Sequence, residues 1–106
     1  MRVAVELMGE VAGIQMEWTD DAGFFWKLRD GEFDVACYER ALQKLRDLSV
    51  ADPDFLPRRL VAVLWYIPLF IQWQDERILK TGVDLVTFAN VMGAMTGEVE
   101  RILGLP

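Results

Sequence analysis

Leu60-Val-Ala-Val-Leu-Trp-Tyr-Ile-Pro-Leu-Phe-Ile71 is an unbroken apolar run, opened by Arg58-Arg59 and closed by Gln72-Trp73-Gln74-Asp75-Glu76-Arg77. Twelve helical residues rise about 18 Å, well short of the roughly 30 Å hydrocarbon core of a bilayer. A helix apolar on every side must instead be wrapped by other protein. Buried strands usually stop at four to eight residues, and here the apolar pattern runs on through Trp73, Ile78 and Leu79. The stretch therefore reads as a central helix over about residues 55–80. Pro57 falls near its first turn, where a missing N–H costs nothing. Pro68 falls inside it, cannot bond back to the carbonyl of Leu64, and is expected to kink it.

The flanking segments supply the wrapping. Val3, Leu7, Val11, Ile14 and Trp18 recur at helical spacing, with Glu6, Glu10 and Glu17 along one edge of that stripe. Val3 to Leu7 could also begin a strand; helix is the preferred reading. Thr19-Asp20-Asp21 reads as an N-cap cluster for a short helix from Ala22 to Asp30, with Gly31 as its C′ residue. A brief strand through Phe24 to Leu28 is the alternative there. Asp34 then caps a further helix, with Phe33 and Tyr38 spaced as a hydrophobic staple. Its buried face is Val35, Tyr38, Leu42, Leu45 and Leu48; Glu39, Arg40, Gln43, Lys44 and Arg46 are expected to point outward. Ser49 to Pro57 connects to the central helix, with Asp54 placed to cap it. Lys80-Thr81-Gly82 ends that helix, and Asp84 starts the last one. There Leu85, Phe88, Met92, Met95, Val99 and Ile102 keep the cleanest three-and-four spacing in the chain, until Gly104 and Pro106 end it.

The expected fold is all-α: residues 1–106 as one domain, an antiparallel bundle of four long helices plus one short helix. Gly9 and Gly13, and Ala89, Gly93 and Gly97, form small-residue stripes that suggest a close crossing of the first and last helices. A Leu at Gly93 is expected to destabilise such a crossing.

Composition narrows the chemistry. The chain has no histidine, one serine and one cysteine. An imidazole base for a nucleophile is absent, as are the ligand sets of zinc and iron–sulfur sites. No glycine-rich phosphate loop occurs, and the carboxylates Glu6, Glu10, Glu98 and Glu100 fall on or near polar helix faces. Cys37, in the first turn of its helix, lacks a histidine partner. The expectation is a non-enzyme without cofactor or metal. A single cysteine permits no internal disulfide, and no basic-then-apolar leader opens the chain, so the expected location is cytoplasmic.

A net charge of −6 argues against nucleic acid and anionic membranes and toward a basic protein partner. From Glu17 to Asp34 there are six acids (Glu17, Asp20, Asp21, Asp30, Glu32, Asp34) against Lys27 and Arg29, a local charge of −4. Helix capping and loop solvation account for much of this. The sharper reading is an acidic face studded with Phe24, Phe25 and Trp26 that docks a basic surface. Trp65 is expected in the core, whereas Trp26 and Trp73 sit where interface anchors would. The candidate partner-binding residues are thus Glu17, Asp20, Asp21, Trp26, Asp30, Glu32 and Trp73. The favoured function is a protein-interaction module, in its most concrete form a small acidic inhibitor of the immunity type. Two alternatives stand beside it: a homodimer through the central or the glycine-bearing last helix, and an apolar-ligand binder with Trp65, Tyr66 and Phe70 lining a pocket beside Pro68.

Overall fold

The computed structural model describes residues 4–50, 52, 54–74 and 82–105, with side chains from residue 7 onward. Among these residues the chain is helical, without strands: α1 (Ala4–Thr19), α2 (Phe24–Arg29), α3 (Val35–Asp47), α4 (Arg58–Trp73) and α5 (Leu85–Leu103). Four long helices and one short one are what the spacing predicts, and both strand alternatives fall. The molecule measures 43 × 31 × 18 Å, thin enough for two layers of helices. α1 and α5 lie diagonally, each packed between α3 and α4, while the short α2 closes one end against α1 and α3. Lys44 reaches back to the Gly13 carbonyl and Arg40 to Glu17, so α1 and α3 run antiparallel.

The core is what the periodicities select: Val11 and Ile14 of α1, Leu42 and Leu45 of α3, and Phe88, Met95 and Val99 of α5. From α4 it takes Leu60, Leu64, Ile67 and Ile71. Local signals hold where their partners are near in sequence. Asp34 accepts the Cys37 N–H at 3.0 Å, and the Phe33 and Tyr38 rings meet at 5.9 Å as a staple. Asp84 accepts the Thr87 N–H at 2.6 Å. Gly31, Gly82 and Gly104 all take positive φ, the backbone region that suits glycine.

Several expectations need correction. α4 spans Arg58–Trp73 and continues through Pro68; its expected extension beyond Gln74 lies outside the described residues. Pro57, not Asp54, occupies its N-cap position, with no side-chain bond. α2 starts at Phe24 after Gly23 because α1 runs on through Thr19, and the exposed Asp20 closes the turn by accepting the Ala22 N–H at 2.8 Å. Val35 and Leu85, both first residues of their helices, are exposed and not core. Gly9, Gly13, Gly93 and Gly97 do not mediate a close crossing: a Cβ on any of them would meet open space.

Candidate interaction surface

Glu17 looks from sequence like one acid of an exposed face, but its side chain is 2% exposed. The reason lies in α3. The Arg40 guanidinium grips the carboxylate with Nη2 2.8 Å from one oxygen and Nε 3.0 Å from the other, and Lys44 Nζ adds a 2.5 Å contact. The Phe24 N–H donates to the same group at 3.0 Å. Burial alone would raise this carboxyl. The bonds from Arg40, Lys44 and Phe24 and the Lys44 charge outweigh it and hold the pKa at about 2, down from 4.5. Glu17 thus caps α2 from a distance, since Gly23 offers no side chain of its own. Only glycine fits at position 23, because a Cβ there would come within 2.5 Å of the Glu17 carbonyl oxygen. Glu17 is therefore removed from the candidate contact set; its work is to bind α1, α2 and α3 together.

Asp20, Asp21, Asp30 and Glu32 are exposed, whereas Asp34 is half-buried and held by the Cys37 N–H and Lys27. Asp20 and Asp21 precede α2, while Asp30 and Glu32 follow it. The six residues of α2 rise about 9 Å between the two pairs. Trp26, in the middle of that helix, is 38% exposed. Phe24 and Phe25, expected on the same face, instead point into the core, where Phe25 stacks on Trp18 at 4.2 Å. The acidic collar around α2 therefore carries one aromatic residue, not three.

The larger aromatic surface lies on α4. Val63, Leu64, Ile67, Phe70 and Ile71 take its inner side, which leaves Ala62, Trp65, Leu69 and Trp73 outside at three- and four-residue steps. Trp65, expected in the core, is 51% exposed, and Trp73 is 61% exposed. The half-buried Tyr66 joins them, its ring 5.4 Å from Trp65 and 5.7 Å from Trp73, near-perpendicular to both. Trp73 and Trp26 share no ring contact; each belongs to its own patch.

Between α1 and α4 this surface dips into a groove of about 310 Å³, lined by Gln15, Trp18, Thr19, Ala62, Val63, Trp65 and Tyr66. Trp18 forms its floor, fixed by an indole N–H bond to the Val63 carbonyl at 3.2 Å. The pocket expected beside Pro68 is thus displaced toward the start of α4: Trp65 and Tyr66 line it, but Phe70 is core. Thr19 lies on its rim, whereas Asp20 lines a separate pocket on the α3 side with Met16, Glu17, Arg40 and Lys44. Of the predicted contacts, Asp20, Asp21, Asp30, Glu32 and Trp26 gather around α2, and Trp73 lies at the far end of the α4 face. Sequence reasoning placed Trp65 and Tyr66 at a pocket but missed that Trp65 is exposed and that Trp18 lines the groove. Among the described residues no helix is long and apolar enough to cross a membrane.

No protein-family model matches the chain, and no curated protein or solved structure is significantly similar to it.

Proposed function

We propose that this protein is a non-enzymatic, cytoplasmic interaction module that docks a basic partner protein. Its working surface is the outer face of α4 together with the acidic collar of α2. One observation carries the reading: two tryptophans on one helix, Trp65 and Trp73, are each more than half exposed, with Tyr66 between them. Exposed aromatic clusters of this kind are costly in water and typical of interface anchors. The net charge of −6 and the exposed Asp20, Asp21, Asp30 and Glu32 favour a cationic partner, with faster association at low salt. A small acidic inhibitor of the immunity type, covering the cationic site of an enzyme, is the most concrete form of this module.

The test is affinity capture from the host lysate with three baits: wild type, Trp65→Leu/Trp73→Leu, and Asp20→Asn/Asp21→Asn/Asp30→Asn/Glu32→Gln. A basic protein held by wild type and lost from both variants is the expected result. The same capture by all three would place binding elsewhere and end this reading. Self-association is the second reading, favoured by the Ala89, Gly93 and Gly97 stripe, which stands exposed along α5 with room beside its glycines. Light scattering separates the two: a concentration-dependent dimer that persists in Trp65→Leu/Trp73→Leu points to α5.

A further inference from the structure

We infer that the partner turns an acidic, apolar patch toward the start of α4, its carboxylates meeting Arg58 and Arg59 and its apolar side chains covering Ala62 and Trp65. The inference rests on the interaction reading above and names the chemistry of the surface that α4 meets. Arg58, Ala62, Trp65, Leu69 and Trp73 follow one another at steps of four, three, four and four residues. All five are exposed, so they form one outward stripe of the helix. Arg59 stands about two turns before Tyr66, on the side that faces the groove between α1 and α4. The face thus begins in two cations, and no acid lies anywhere on α4. Arg, Trp and Tyr are the residues in which interface hot spots are enriched.

Local structure does not account for the two arginines. Cations in a first turn oppose the helix dipole, and Pro57 before them offers no side-chain cap. Among the described residues neither forms an ion pair. The nearest preceding acids in the sequence are Asp52 and Asp54, and Asp52 is engaged with the Asp54 N–H at 3.0 Å. Exposed, unpaired cations at the edge of an aromatic face are matched by carboxylates across an interface. The exposed acids around α2 call for the opposite charge, and Asp20 opens onto a pocket on the α3 side. The partner is therefore dipolar, with cationic groups for the collar and carboxylates for α4. An anionic bilayer would also pair with the arginines. It repels a chain of net charge −6 as a whole, however, and offers nothing to match the collar.

The probes are two acetylated, amidated heptapeptides, Glu-Leu-Leu-Glu-Glu-Leu-Leu and the same sequence with Lys in place of Glu, titrated into the isolated full-length chain. The readout is the indole N–H resonances in two-dimensional NMR, assigned by Trp→Phe variants. Net charge alone favours the Lys peptide everywhere. The inference requires the reverse at Trp65: a saturable shift with the Glu peptide, about two- to tenfold tighter than with the Lys peptide, as two exposed ion pairs allow. Trp26, inside the collar, should respond to the Lys peptide instead. Arg58→Gln/Arg59→Gln should erase the preference at Trp65 and leave that at Trp26 unchanged. Equal binding at Trp65, tighter binding of the Lys peptide there, or no saturable shift would overturn the inference. So would a Glu-peptide preference at Trp26 as well, or one at Trp65 that survives the arginine variant. A blue-shifted tryptophan emission on phosphatidylglycerol vesicles, lost with Arg58→Gln/Arg59→Gln, would give the face to lipid and likewise overturn it. Lysate capture that needs Trp65 and Trp73 but not Arg58 and Arg59 would leave the interaction reading intact with an uncharged contact at α4.

Discussion

At position 17 a carboxylate that composition assigns to the solvent is instead the pin through three helices. Its pKa is lowered from 4.5 to about 2, so its stabilisation is complete above pH 4.5 and fades as pH falls toward 2. At about 1.36 kcal/mol per pH unit that gap corresponds to something on the order of 3 kcal/mol. Glu17→Gln should therefore cost about 2–3 kcal/mol in denaturant unfolding at pH 7, the lower end for a broken buried pair because Arg40 and Lys44 can still reach water. The difference between wild type and variant should shrink through the pH 4.5–2 window; a constant difference would mean the charge is not what matters. Asp34, held at about 2 by the Cys37 N–H and then by Lys27, loses its contribution over a similar range. Gly23→Ala should destabilise by about 1–3 kcal/mol, since the added methyl meets the Glu17 backbone and not a side chain that could swing away. An unchanged melting temperature would show that the α1–α2 turn can yield. The role of Glu17 had no signal in the sequence. Its partners lie 23 and 27 residues on, and a helix edge looks the same whether or not a basic helix packs on it.

Helix by helix, what was legible depended on how far each deciding contact reaches. The caps at Asp34 and Asp84 and the Phe33–Tyr38 staple span at most five residues, and local spacing found them. α4 was found as an element but not in its full orientation: where every position is apolar, no polar stripe marks the outside and Trp65 goes unnoticed as surface, whereas Trp73 was placed there because the polar Gln72, Gln74 and Asp75 flank it. The glycines of α5 misled for a related reason, since small residues signal either close packing or nothing. With open space at both sites, Gly93→Ala and Gly97→Ala should each stabilise by up to about 1 kcal/mol, read as a raised midpoint in urea. A loss of stability would mean these positions touch something, and a second copy of the chain becomes the first suspect. Arg101 gives the same lesson as Glu17. From α5 it donates to the carbonyls of Leu45 at 2.9 Å and Leu48 at 3.1 Å, finishing a helix end that α3 does not finish alone. Arg101→Met should cost about 1–2 kcal/mol and speed hydrogen exchange at the end of α3; exchange unchanged there would rule out the capping role.

Across the whole molecule, stability and recognition are carried by different parts. Glu17, Gly23 and Arg101 tie the helices together on the α3 side, while the exposed aromatics stand on the outer face of α4. Trp65→Leu/Trp73→Leu should accordingly shift unfolding by less than about 0.5 kcal/mol, the usual range for surface substitutions, while removing partner capture. A large fall in stability would make these tryptophans part of the core after all. Separation of this kind lets the contact surface change its specificity without endangering the fold.

Arg101 also orders events in time. The guanidinium that completes α3 sits on the last turn of α5, more than fifty residues later in the chain. During synthesis from the N-terminus, the first three helices can meet as soon as they emerge, because Glu17, Arg40 and Lys44 are all present by residue 44. The end of α3 must wait, its carbonyls open to water, until α5 has been made. A nascent or clipped form lacking α5 would keep the Glu17 knot and still fray at Leu45–Leu48, a place where cellular proteases could recognise that α5 is missing.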